Sequence, residues 1–279
     1  MKSICTLLAL AFFFSCSDRD EGTEIIPTIE LESELVAPNF QAILDSADVL
    51  GSILIYDLNN STYYSNDFKW AKTGQLPAST FKIPNSIIAL ETGVVENDNT
   101  LFEWDGEDRA LSNWEQDLHF SKAFQYSCVP CYQEVAREIG LLRMTEFLDT
   151  LDYGNMQVDS TNLGMFWLQG ESRISQFEQI GFLQRLYRSE LPISKRSEII
   201  IKSMMIIEEN QDYTLSGKTG WSINNGEDNG WFVGYIDTQI NTFFFATNIE
   251  PTSQFEMGRF PQIRRDVTLT AFKQMSVLQ

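Results

Sequence analysis

A chain of 279 residues, 43% hydrophobic and 13% aromatic, can bury a core of its own and reads as one folded domain with room for two lobes. Its 39 acids against 20 bases give a formal charge of −19, which excludes nucleic acid as a partner because the phosphates would be repelled. A small anionic ligand is not excluded, since a few local cations can dominate one cleft.

The N-terminus, "MKSICTLLALAFFFSC", joins Lys2 to an apolar run from Ile4 to Phe14 that is too short to cross a bilayer, so it reads as a secretory signal. Ser15 and Cys16 at its end resemble a bacterial lipoprotein signal, in which Cys16 becomes the lipidated N-terminus; cleavage nearby without lipidation is the alternative. Residues 17–36 carry seven acids and one Arg, the composition of a solvated tether. The folded domain is expected over 37–279.

"GSILIYDL" (51–58) alternates and is β-branched, which predicts a strand, with "STYYSND" as its hairpin partner after an Asn-Asn turn. "STFKIPNSIIALETG" has apolar residues at helical spacing and stops at Gly93, suited to a helix C-terminus. From about 95 to 205 the pattern is helical, in "CYQEVAREIGLLRMTEFLDTL", "SQFEQIGFLQRLYRS" and "SKRSEIIIKSMMI". Strands return in "YTLSGKTG", "GWFVGYID" and "NTFFFATNI"; the acidic, Asn/Gly-rich "SINNGEDNG" is expected as a mobile rim loop. "RRDVTLTAFKQM" closes the chain as an amphipathic helix. Strands at both ends of a helical block predict an α+β fold: one antiparallel sheet built from both termini, with helices packed on it and a helical lobe.

Ser79 and Lys82, in "LPASTFKIPN", are three apart and share a face of a helix, so the amine can reach the hydroxyl. A serine needs an adjacent base to attack at neutral pH, and a lysine serves only when neutral, which burial can arrange. The alternative is two ordinary residues at the mouth of a helix, because an S-x-x-K arises by chance roughly once in a chain of this length. The one histidine, His119, lies in "DLHFSKAFQ" on an expected helix and reads as structural, so a serine here would not use imidazole.

"KTGW" (218–221) leaves the strand "YTLSG". Lys218 and Thr219 at the end of an edge strand can hold a carboxylate, Gly220 leaves room for substrate along the strand, and the next N–H, that of Trp221, can point at an oxyanion. A second "KTG", at 72–74, lies in a loop before Pro77 and is read as coincidence. Ser127, beside Val129 and Pro130 at a helix start, can pass protons or simply cap the helix. Cys128 and Cys131 have no second pair and no His cluster, so no metal site is expected; they read as small apolar residues on a packed helix, with a local disulfide as the alternative.

The order S-x-x-K, S-x-V, K-T-G resembles the serine β-lactamase and penicillin-binding superfamily, and the surrounding residues resemble its class D β-lactamases. "PASTFKIPN", "YSCVPCYQE", "YGN" (Tyr153 to Asn155), "FWLQG", "KTGW" with "GWFVGY", and "IRRDVTLTAF" carry the resemblance from about residue 50 to 275. It implies a DD-peptidase/serine β-lactamase-like fold and hydrolysis of penicillin-type antibiotics, hence resistance. Ser79 would be acylated, and Lys82, as a CO2-derived carbamate (N6-carboxylysine), would be the base for acylation and deacylation. Trp167 would steady the carbamate by its indole N–H, and Leu168 with Val129 would keep it dry. Ser127 would relay a proton to the lactam nitrogen. The N–H groups of Ser79 and Trp221 would form the oxyanion hole. Lys218, Thr219 and Arg264 would bind the substrate carboxylate, with Arg265 as the alternative to Arg264. Tyr153 has a catalytic or a turn-packing role. No metal or organic cofactor is implied, and an exported, periplasmic, lipid-anchored enzyme is expected. The rivals are a penicillin-sensing ectodomain, which stays acylated, and a cell-wall peptidase, which lacks the tryptophan–carbamate arrangement.

Overall fold

The computed structural model describes residues 32–278, so the leader 1–16, the lipidation site expected at Cys16 and most of the tether lie outside the described residues. In chain order the elements are β1 (Ser33–Val36), α1 (Pro38–Ser46), β2 (Val49–Asp57), β3 (Thr62–Ser65), α2 (Phe68–Ala71), a 3-10 turn (Ala78–Phe81) and α3 (Lys82–Glu91). Then follow β4 (Leu101–Phe102), β5 (Leu118–His119), α4 (Phe120–Gln125), α5 (Val129–Ile139), α6 (Leu141–Leu151), α7 (Gln176–Tyr187) and α8 (Lys195–Met205). The chain ends with β6 (Ile206–Glu209), β7 (Tyr213–Asn224), β8 (Glu227–Thr238), β9 (Thr242–Pro251) and α9 (Phe260–Gln274).

Among the described residues, seven strands form one sheet in the order β1-β3-β2-β9-β8-β7-β6. The two ends of the chain meet where β2 runs antiparallel to β9, from Val49 opposite Pro251 to Asp57 opposite Phe243. Side chains alternate between two cores, as the two-residue period of a strand requires. Ile53, Ile55, Phe232 and Phe245 face α1 and α9, whereas Leu54, Tyr56, Val233 and Ala246 face the helical lobe. α3 is buried from Lys82 to Leu90, so the residues at its start sit at the junction of sheet and lobe.

Several expectations are corrected. β1 pairs with β3 in parallel, so the sheet is mixed at that edge and Ser33–Val36 belongs to the fold rather than to the tether. The helical block breaks at Gly140 (φ +77), and 152–175 contains no regular helix; its ends are held by single bridges of Asn155 to Arg173 and Gln75 to Ile174. His119 lies on the short strand β5 and is exposed, its Nδ1 2.8 Å from the Asn99 carbonyl. "SINNGEDNG" is not a loose loop: β7 and β8 stay paired out to Asn224 and Glu227. The two turn residues Asn225 and Gly226 have φ of +53 and +83, the backbone a two-residue type I′ turn needs. Cys128 and Cys131 are joined as a disulfide rather than packed as separate thiols. No helix among the described residues is long and apolar enough to cross a membrane.

Candidate active site

The 3-10 turn Ala78–Phe81 delivers Ser79 to the N-terminus of α3, where Lys82 begins the helix. Ala78 is held at φ +52, a left-handed backbone that costs a non-glycine residue about 1 kcal/mol or more. Its N–H donates to the Trp167 carbonyl (2.8 Å). The carbonyl of Leu76 accepts from two side chains of β8, Asn229 Nδ2 at 2.8 Å and Trp231 Nε1 at 2.7 Å. Ser79 is therefore presented by a turn clamped from both sides.

Lys82 is fully buried, and its Nζ donates to Ser79 Oγ at 3.1 Å. Beneath it lies the Tyr132 ring, 4.9 Å from Nζ to the centroid. Desolvation alone brings the lysine from 10.5 down to about 7, so a large share of the amine is neutral at physiological pH. Trp167 is also fully buried and stacks on Phe81 at 5.4 Å. Its Nε1 is a buried donor with no hydrogen-bond partner. Such an orphan is costly unless something accepts from it. Val129, opening α5, and Leu168, next to Trp167, are both half-buried.

β6 is in register with Thr214 to Ser216 only, which leaves β7 without a strand partner on its outer side from Lys218 to Trp221. This edge lies against the nucleophile turn. A Cβ on Gly220 would stand 3.2 Å from both Ala78 Cβ and the Pro77 carbonyl, so a larger residue would have to part strand and turn by a few tenths of an ångström. Lys218 is buried and donates to Ser127 Oγ and, at 3.0 Å, to its neighbour's carbonyl at Thr219. Burial, reinforced by the charges of Lys82 and Arg264, holds its amine well below the ordinary lysine range. Ser127 precedes α5 at φ +53, and the residue capping that helix is Cys128, so the plain N-cap reading of Ser127 does not hold.

Arg264, on α9, donates to the Gly220 carbonyl and stacks over Trp221, with its Cζ 5.9 Å from the ring. Burial lowers it to about 10, so it stays charged at neutral pH. Arg265 lies over Phe232 and lines a cavity beside Gly217, Lys218 and Thr219, whereas Arg264 is the one hydrogen-bonded to the "KTGW" edge, at Gly220. Tyr153 is buried in a closed set of hydrogen bonds, 3.2 Å from Thr80 Oγ1 and 3.1 Å from Gln179 Oε1, and this favours its packing role. No group of three or more His, Cys, Asp or Glu that could hold a metal is present among the described residues.

Residues 51–262 match the family described as the penicillin binding protein transpeptidase domain. Over 228 residues the chain is 41% identical to Beta-lactamase OXA-48 of Klebsiella pneumoniae, covering 82% of this chain and 84% of that protein. The chain belongs to the class D β-lactamases. A class D β-lactamase from Sebaldella termitidis matches it with a TM-score of 0.84 at 36% identity, covering 89% of this chain and 100% of that one. The class D β-lactamase YbXI from Nostoc gives 0.81 at 41% identity, covering 86% and 99%. The chain is thus a serine β-lactamase, a hydrolase, with the α+β fold of its class.

In this β-lactamase the fold bonds Lys82 to Ser79 and Lys218 to Ser127, sets Gly220 against the turn that carries Ser79, and places Arg264 on Gly220 and over Trp221. The sequence did not point to Ala78, Asn229, Trp231 or Tyr132 as supports of these groups. "GWFVGY" was visible as a motif, but what Trp231 does depends on its reach across the sheet to Leu76.

Proposed function

We propose that this enzyme opens the ring of penicillin-type β-lactams through an acyl-enzyme on Ser79, with Lys82 carboxylated by CO2 as general base, and so confers resistance. The observation that carries this is a buried amine bonded to Ser79 and brought down to about 7 by desolvation, together with an orphaned indole N–H on Trp167, whose ring stacks on Phe81, the residue before Lys82. Only a neutral amine adds to CO2, and the product needs donors around it; Lys82 and Trp167 fit both requirements. When bound, the carbamate supplies an anionic oxygen base in a site shielded from water.

The remaining steps belong to the chain's own groups. Ser79 Oγ attacks the lactam carbonyl as its proton leaves toward the Lys82 side chain. The N–H groups of Ser79, in the first turn of its helix, and of Trp221, on the open edge of β7, receive the developing oxyanion. Ser127 Oγ gives a proton to the lactam nitrogen and regains one through Lys218. Lys218, Thr219 and Arg264 hold the substrate's carboxylate, and Gly220 keeps the strand close to the nucleophile. Val129 and Leu168 limit water at Lys82. Water then cleaves the Ser79 ester, so one water is consumed per ring opened. Export to the periplasm with anchoring through a lipidated Cys16 is part of the same proposal and rests on the leader alone.

Mass spectrometry of the protein mixed with a penicillin tests the reading. Transient acylation at Ser79 with release of ring-opened product is expected; a lasting adduct would instead indicate a sensor.

A further inference from the structure

Ser127 sits in a backbone region that non-glycine residues seldom adopt (φ +53), so something must hold it there. On its N-terminal side, Ser127 N–H bonds Phe124 O at 3.1 Å and Cys128 N–H bonds Ala123 O at 2.9 Å. Trp114 Nε1 pins the preceding carbonyl of Tyr126 at 2.9 Å. On its C-terminal side the N-cap of α5 is Cys128, whose sulfur accepts from Cys131 N–H at 3.3 Å. Sulfur is a weak acceptor where Ser, Thr, Asp or Asn would ordinarily stand. The disulfide between Cys128 and Cys131 ties that N-cap covalently to the first turn of α5.

We infer that this disulfide positions Ser127 for proton delivery, so that acylation is fast only while the bond is formed. The inference rests on the relay role proposed above for Ser127. A bond between residues three apart closes a very short ring, and the gain from constraining the unfolded chain is least for short rings. Its effect is therefore local, and the proton-carrying group it adjoins is Ser127 Oγ, next in the chain and bonded to Lys218.

The bond is open to chemistry. Cys128 is buried, but Cys131 is half-buried, and both border a cavity of about 450 Å³ between α5 and the segment around Trp104 and Trp114. Arg109 and Arg137 line it together with Glu103, Asp105 and Glu134. A dithiol entering there would break the S–S bond and form two thiols, while its own two thiols pair as a disulfide.

The test compares oxidised protein, protein reduced with dithiothreitol, and Cys131→Ala, each with and without Ser127→Ala, reading acylation and deacylation rates separately on a chromogenic cephalosporin. Reduction or Cys131→Ala is expected to slow acylation about tenfold, with deacylation within about twofold. Ser127→Ala is expected to slow acylation by itself and to abolish any further effect of reduction, and dithiothreitol is expected to do nothing to Cys131→Ala. An unchanged rate on reduction, an equal loss in the Ser127→Ala background, or loss of the folded circular dichroism spectrum on reduction would each overturn the inference. Normal acylation by Ser127→Ala alone would mark failure of the relay reading itself.

Discussion

Ala78 donates its backbone N–H to the carbonyl of Trp167 at 2.8 Å, and this bond ties the turn that presents Ser79 to the loop that carries the buried indole. Nucleophile and orphan donor are thereby fixed relative to each other although Ser79 and Trp167 lie 88 positions apart in the chain. The first prediction concerns that donor.

Trp167→Phe keeps the stacking on Phe81 and removes the unpaired N–H. Deacylation should slow by about 10–100-fold, the usual effect of losing a group that orients a reactive one, and acyl-enzyme should accumulate in stopped-flow mixing. Turnover at the parental rate would show that nothing needs this donor.

Lys82 sets two pH dependences. Its amine is held near 7 by burial, so activity should fall as pH drops below 7 and the ammonium form takes over, and added bicarbonate should restore part of it. For stability the sign is the reverse of an ion pair. The unfolded chain binds the proton up to 10.5 and the folded one only up to about 7. The cost of burying Lys82 is thus present in full below about 7 and fades as pH rises toward 10.5. Lys82→Met should be inactive yet more stable at pH below 7, by about 2 kcal/mol in urea unfolding, and the advantage should shrink above that pH. A variant less stable than the parent in acid would contradict this.

Arg264 and Arg265 make different contacts, the first with the Gly220 carbonyl and the second over Phe232. Arg264→Ala removes the guanidinium bonded to Gly220 and should raise KM for penicillins about tenfold or more. Arg265→Ala should change KM by no more than about twofold, since this side chain lies over Phe232. Steady-state kinetics of both variants decides the matter.

Gly220→Ala would press a methyl group to 3.2 Å from Ala78 and Pro77. The strand edge and the nucleophile turn must then part by a few tenths of an ångström. Acylation should fall about tenfold or more with little change in thermal midpoint; parental acylation would show that the close approach is not needed.

How far the sequence could be read follows from where the information lies. Ser79, Lys82 and Lys218 were legible because each sits in a short motif with its own local geometry, and the meeting of the chain's two ends followed from strands read on both sides of a helical block, "GSILIYDL" before it and "NTFFFATNI" after it. The turn at Asn225 and Gly226 was legible too, since Asn-Gly between paired strands is a strong hairpin signal, but acidic composition suggested a loop instead. Ser33–Val36 was hidden: all four residues are exposed, and only backbone pairing with β3 makes them a strand. The Cys128–Cys131 bond stood only as the alternative to two packed thiols, because residues three apart inside a helix and at its N-cap read alike in sequence. The support of Leu76 by Asn229 and Trp231 spans 153 and 155 positions, beyond any local pattern.

The central claim is that the buried nitrogen of Lys82 takes up CO2. Carbon-13 NMR of the protein equilibrated with labelled bicarbonate, beside Lys82→Ala, tests it most directly. The account predicts one protein-bound carbamate resonance that is absent from the variant and disappears on acidification together with activity. Full-rate penicillin hydrolysis by a protein with no such resonance would contradict it.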